Sequence, residues 1–256
     1  MCDNSSSGIE GHRDKAPIYT YECPDKKKLV SCNLVSVKGR FTDVALSEKN
    51  EKMSPKYKVT YFKAKGRAEP IRVLLAYGKQ EFEDNFIDRE KWPQIKPTTP
   101  FGKVPVLEVD GKVLHQSASI CRYLAKKFGL AGSSDEESLQ IDMIVDTIED
   151  VGTALRKDMN PQQSEEEKAA ARKKAMKDVV PYYMTKFEEI VKANGGYFVN
   201  GKLSWADIIF ACSVGGLSQM MGLSGLLDPY PGLASLQKKV FDEPNIKAWL
   251  NKRAPL

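Results

Sequence analysis

Two dipeptides carry groups from which a binding site could be built. Gln116-Ser117 brings an amide, a hydroxyl and free backbone N–H groups together at the start of a helix. The dipole there is positive, and a carboxylate is well received. Val104-Pro105 lies a dozen residues earlier. Proline removes a ladder donor, so Pro105 belongs at a strand start or edge, or after a cis bond that turns the preceding backbone outward. Taken singly, each has a plainer reading: Pro105 as an edge marker and Ser117 as a helix cap. Their order, Val-Pro, strand, Asp-Gly, strand, Gln-Ser, helix, favours a built site.

The elements that must position them follow from local pattern. Val104 to Val109 and Lys112 to His115 are short apolar strands, and Asp110-Gly111 suits the left-handed positions of a type I′ hairpin turn. The hairpin feeds directly into a helix on which Ile120, Tyr123, Leu124 and Phe128 recur at helical spacing.

Composition narrows the classes. At 256 residues two domains are expected, and a hydrophobic fraction of 41% suits a globular core. No apolar run approaches a membrane span. No charged-then-apolar leader opens the chain, which argues against secretion and for a cytoplasmic protein. The five cysteines (Cys2, Cys23, Cys32, Cys121, Cys212) are scattered with no CxxC, which argues against a disulfide framework and against a zinc site. With only His12 and His115, a histidine triad or metal centre is not expected. A net charge of +5 against 39 basic and 34 acidic residues indicates solubility and not a nucleic-acid surface.

Read in order, residues 1–54 have no sustained period and carry the run Lys26-Lys27-Lys28, so a disordered extension is expected. Leu34 to Val37 alternates as a strand without an obvious partner, and Met53 could be an alternative start. Lys58 to Phe62 alternates as a strand, Gly66 permits a turn, and Arg67 to Tyr77 reads as a helix with Ile71, Leu74 and Leu75 buried and Gly78 as its C′ residue. Phe82 to Ile87 is a second strand, which makes a parallel βαβ unit. Trp92 to Pro97 is a loop or short helical turn before the hairpin. This βαβ-then-ββα order is thioredoxin-like and occupies residues 55–132. Residues 133–256 read as all helical: the stripe Ile141, Ile144, Val145, Ile148, Val151; a charged helix from Ser164; a helix from Pro181 to Asn194; an S-x-x-D capping box at Ser204 to Asp207 before a buried helix; and short final helices.

The segments Thr60-Tyr61-Phe62, Gly66-Arg67-Ala68-Glu69, Trp92-Pro93, Phe101-Gly102-Lys103-Val104-Pro105 and Leu114-His115-Gln116-Ser117 occur in one order. That order resembles the sigma class of cytosolic glutathione transferases, the group that includes insect enzymes and haematopoietic prostaglandin D synthase. The resemblance spans roughly residues 56 to 254. It implies an α/β thioredoxin-like domain followed by an all-α domain, with glutathione as co-substrate and no metal required. It gives Tyr61 the catalytic role, a phenol aimed at the glutathione sulfur, with Arg67 adding positive potential. An ordinary cysteine thiol has a pKa near 8.5, and lowering it by ~2 requires only ~2.7 kcal/mol, within reach of one or two charge-assisted hydrogen bonds. Without those neighbouring motifs Tyr61 would read as a core aromatic.

By the same resemblance Trp92 and Lys96 contact the glycine end of glutathione. Gly102, Lys103, Val104 and Pro105 hold its cysteinyl backbone, across a cis peptide that lets Val104 offer both N–H and C=O. Gln116 and Ser117 take the γ-glutamyl carboxylate, and Asp150 of a partner subunit takes its amino group, which implies a homodimer. Asp146, Glu149 and Asp150 match a carboxylate cluster that binds a divalent ion in some sigma enzymes, but a solvated helix face is the preferred reading and no metal site is expected. The activity implied is conjugation of glutathione to small hydrophobic electrophiles such as lipid-peroxidation aldehydes. The alternatives are a glutathione-dependent prostaglandin isomerase and, in another class, a structural S-crystallin-like protein.

Overall fold

The computed structural model describes residues 19–21, 30–32, 55–157, 162–221 and 225–256. The chain divides into two units, residues 1–52 and 53–256. In the first, strand β1 (Tyr19–Tyr21) pairs antiparallel with β2 (Val30–Cys32), Thr20 opposite Ser31. Leu34 to Val37 and Met53 lie outside the described residues.

The second unit opens on β3 (Tyr57–Phe62), a 3-10 turn at Gly66–Ala68, α1 (Glu69–Tyr77) and β4 (Phe82–Ile87). The helix expected from Arg67 thus begins two residues later. Its first turn places Glu69 and Pro70 where N–H groups have no intrahelical partner, so the proline removes nothing. After α2 (Trp92–Ile95) and two further 3-10 turns come β5 (Val106–Val109), β6 (Lys112–His115) and α3 (Ser117–Phe128). The sheet order is β4-β3-β5-β6, with β4 parallel to β3 and the other pairs antiparallel. Asp110 and Gly111 both have positive φ (51° and 80°), as a type I′ turn demands. Pro105 stands immediately before β5, where no ladder donor is lost.

Register explains why one end of this sheet is open. β5 pairs with β3 only as far as Thr60↔Val106, whereas Tyr61 and Phe62 pair with Phe86 and Ile87 of β4 alone. Val106 also faces His115, so the carboxyl ends of β3 and β6 and the chain entering β5 gather at one edge. Ligands of open α/β sheets collect at such carboxyl ends.

Helices α4 (Asp135–Lys157), α5 (Glu165–Asp178), α6 (Val180–Ala193), α7 (Trp205–Met221), α8 (Pro231–Asp242) and α9 (Pro244–Lys252) complete the unit. The α4 stripe buries Ile141, Val145, Ile148, Val151 and Leu155, with Ile144 only half-buried. In the capping box before α7, Asp207 accepts from the Ser204 N–H and hydroxyl at 2.7 Å and from the Phe198 N–H at 2.9 Å. Burial pushes its pKa up against those bonds. On α3, Cys121 is buried and Tyr123 is 40% exposed, so the core stripe runs through Cys121 instead.

Gly78 corrects a simple reading of helix ends. Its φ is −72°, and the left-handed residue is Lys79 at φ 54°. What requires glycine is space, because a methyl group there would stand 2.5 Å from the Phe128 ring. Gly78→Ala should therefore destabilise the fold by ~1–3 kcal/mol, read from urea denaturation. Adding Phe128→Leu should recover part of the loss; no recovery would show that the ring is not the cause.

Candidate active site

Two cavities adjoin at the open edge of the sheet. The first, about 410 Å³, is the more polar of the two, its wall about equally polar and apolar; Trp92, Phe101, Gly102, Lys103, Val104, Pro105, His115, Gln116 and Ser117 are among its lining residues. The second, about 520 Å³, is largely apolar and reaches between α4, α6 and α7, past Val145, Ile148, Leu155, Met184, Phe210 and Leu217. Arg67 and Ser117 line both, and Tyr61 lines the apolar cavity beside Gly66 and Arg67.

In the polar cavity the Val104–Pro105 peptide is cis. Phe101 and Gly102 have positive φ (53° and 61°), and Gln116 enters α3 at φ 69° with no side-chain cap bond to the helix. Non-glycine residues held left-handed are uncommon and collect at binding sites. The amide of Gln116 and the N–H groups of the first α3 turn are left for a guest carboxylate. Phe62 and Trp92 pack edge to face at 5.3 Å and form one wall.

Tyr61 is fixed by the loop that follows it. The Arg67 N–H donates to the Tyr61 hydroxyl oxygen at 3.4 Å, a long bond. Because that oxygen accepts from the backbone, the phenol's own proton is free to be donated elsewhere, and acceptance strengthens donation. Gly66, at φ +42°, lets the backbone pass the ring; a methyl group on it would lie 2.7 Å from the hydroxyl oxygen. The Arg67 guanidinium is paired with Glu149 of α4 at 3.0 Å, both side chains being 40% exposed or more. An ion pair so open to water is worth ~0–1 kcal/mol, so a ligand carboxylate competes for it readily.

The remaining expected residues are placed differently. Lys96 lies along Gly102, with its methylenes 3.2 Å from where a Cβ on that glycine would stand, yet it lines neither cavity. Asp150 is exposed on α4 outside both cavities. Glu149 faces Arg67, while Asp146 and Asp150 are exposed; among the described residues no group of three His, Cys, Asp or Glu converges as a metal site. Also among the described residues, no helix is long and apolar enough to cross a membrane.

Three features escaped the sequence reading. His115 lines the polar cavity with its ring 5.2 Å from Phe101. Cys121 and Cys212 line the apolar cavity as free, buried thiols, and burial pushes both pKa values up. Arg72 and Glu69 are buried in α1 immediately behind the Tyr61 loop. For the last pair a signal existed: a charged residue flanked by Ile71, Val73, Leu74 and Leu75 has no solvated face to occupy.

A four-stranded mixed sheet carrying a cis proline and an anion-receiving helix start, backed by a helical bundle, defines a thioredoxin-like peptide-binding architecture with a second, apolar pocket. The comparisons agree. Residues 57–126 match the family model "Glutathione S-transferase, N-terminal domain", and residues 149–253 match "Glutathione S-transferase, C-terminal domain". Glutathione S-transferase S1 of Drosophila melanogaster is 44% identical over 204 residues, covering 79% of this chain and 81% of the fly protein. Hematopoietic prostaglandin D synthase of Gallus gallus is 40% identical over 206 residues, covering 78% and 97%. Among solved structures, prostaglandin synthase D of Nilaparvata lugens superposes with a TM-score of 0.74 at 46% identity, covering 78% of this chain and 99% of that one. The chain belongs to the glutathione S-transferase family.

Proposed function

We propose that this protein is a sigma-class transferase that conjugates glutathione to small hydrophobic electrophiles, lipid-peroxidation aldehydes among them. The observation that carries the reading is the seam: a polar, anion-receiving cavity and an apolar one share Arg67 and Ser117, with the Tyr61 hydroxyl beside them. The γ-glutamyl carboxylate is received at Gln116 and Ser117, the cysteinyl backbone at Lys103 and Val104, and the glycine end by Trp92 and Lys96. The thiol then reaches the seam, its proton goes to solvent, and the Tyr61 O–H donates to the sulfur anion. The thiolate attacks the β-carbon of an unsaturated aldehyde held in the apolar cavity, a C–S bond forms, and the resulting enolate takes a proton from water. No metal enters this scheme, and the reduced, unpaired Cys121 and Cys212 suit the cytoplasm.

A second reading, glutathione-dependent prostaglandin isomerisation, is favoured by the relatives named as prostaglandin synthases. A kinetic panel with glutathione and an aryl halide, an unsaturated aldehyde or a prostaglandin endoperoxide decides between them. Turnover of the endoperoxide alone would replace the first reading, and turnover of none would leave the structural, crystallin-like alternative.

Assembly belongs to the same proposal: a homodimer in which Asp150 of the partner subunit meets the γ-glutamyl ammonium. It is supported by the exposed face of α4, where Leu139 (61% exposed) and Met143 (58%) lead at helical spacing to Asp150. A charge-assisted hydrogen bond contributes ~1.5–3 kcal/mol, so Asp150→Ala should weaken glutathione binding roughly ten- to a hundredfold without altering thiol ionisation. Sedimentation and calorimetric titration check this. A fully active monomer, or unchanged affinity, would count against the shared site.

A further inference from the structure

Behind the Tyr61 loop lies a chain of buried charges that reaches the far end of the sequence. Arg72, fully buried, donates from Nη1 to the carbonyl of Ala64 at 2.9 Å and to that of Lys65 at 3.4 Å. These are the residues just before Gly66, and with Gly66 and Arg67 they line the apolar cavity. The Arg72 guanidinium is itself held by Asp84 of β4 at 2.8 Å and by Glu69 at 3.5 Å. Its Nη2 is buried with no hydrogen-bond partner, and the guanidinium lies over the Phe86 ring of β4, 5.7 Å from its centre. Glu69 in turn accepts from Arg253, just after α9, at 2.5 Å. Arg253 is 16% exposed and stacks on the Trp249 ring at 4.7 Å.

We propose that Arg253 is a positioning residue for the thiolate chemistry: acting through Glu69 and Arg72, it sets the Ala64–Arg67 loop and hence the Arg67 N–H against the Tyr61 hydroxyl. The physical reason is the cost of an unpaired buried carboxylate. Without Arg253, Glu69 retains only Arg72 as a cationic neighbour and draws the guanidinium toward itself, away from the two loop carbonyls. The bond these carbonyls indirectly support is already long at 3.4 Å, and small displacements at that length remove it. Arg253 touches neither cavity, so its effect is on ionisation and not on substrate contact.

The inference rests on the glutathione-transferase reading, and the test separates the two. The ultraviolet absorbance of bound glutathione thiolate is titrated against pH in the wild type, Arg253→Gln, Arg253→Lys and Glu69→Gln. Melting curves are recorded alongside. In Arg253→Gln and Glu69→Gln the thiol should ionise at higher pH than in the wild type, kcat/KM at neutral pH should fall about tenfold, and glutathione affinity should stay within about threefold. Arg253→Lys, which keeps the charge and loses the planar fork, should fall between. Folded Gln variants with the wild-type titration curve would overturn the inference, whatever their activity, since a merely structural role moves the melting point and leaves the pH profile in place. If the Gln variants do not fold, Arg253→Lys decides alone: a curve unchanged from wild type overturns it. A wild type that shows no thiolate band with saturating glutathione overturns the parent reading and this inference with it.

Discussion

Tyr61→Phe is expected to lower kcat/KM at neutral pH by about a hundredfold, the scale seen on removing one preorganised donor from a developing anion. Glutathione affinity should change by less than about threefold. On the proposed reading the peptide is held by the cavity that Val104, Gln116 and Ser117 line, and only the hydroxyl addresses the sulfur. The ring's packing edge to face on Phe62 at 5.6 Å is unaffected by the change, so the fold should persist. Stopped-flow turnover with paired glutathione titrations checks both halves. Activity within twofold of wild type, roughly 0.4 kcal/mol, would remove Tyr61 from its role.

Gly66→Ala should cost nearly as much for a different reason. A methyl group at this position meets the Tyr61 hydroxyl oxygen at 2.7 Å and its Cε1 at 3.0 Å, and the backbone stands at φ +42°. Left-handed backbone costs a side-chain-bearing residue ~1–2 kcal/mol, and the contact must be relieved by moving the phenol off the seam. Loss of stability of ~1–3 kcal/mol and a fall in turnover comparable to that of Tyr61→Phe are expected. The double variant separates the two causes. With the hydroxyl gone, the closest contact disappears, so Gly66→Ala should destabilise the Tyr61→Phe variant less than it does the wild type. Strict additivity in urea denaturation would show that backbone strain alone makes glycine necessary.

Much of this site was legible because it is local. Asp110-Gly111 specifies its own turn, Val104-Pro105 and Gln116-Ser117 flank that turn, and the pairing of β5 with β6 then brings His115 and Val106 opposite each other. What the linear pattern could not give was space and distance. Gly78 was legible as a helix end, but its need for glycine comes from the Phe128 ring. Gly66 was legible as a turn residue, but not as the gap into which the Tyr61 hydroxyl fits. The partner of Glu69 lies 184 positions along the chain, beyond the reach of any periodicity. Arg67 owes its expected place near the sulfur to the family resemblance alone, while its pairing with Glu149 depends on how α4 packs against the sheet domain.

Cys121 and Cys212 place the host's own sulfur in the chamber meant for reactive guests. A soft electrophile that enters meets three sulfurs, two belonging to the protein and one borrowed, and intrinsic reactivity would not distinguish them. The state of charge does. The native pair is shut in apolar surroundings that hold the protons on, and a thiol reacts only once ionised. On the proposed reading the borrowed sulfur alone meets a hydrogen-bond donor that favours the anion, the Tyr61 hydroxyl. The same burial that packs α3 against α7 therefore acts as a chemical insulator, so that the catalyst is spared by the poison it consumes.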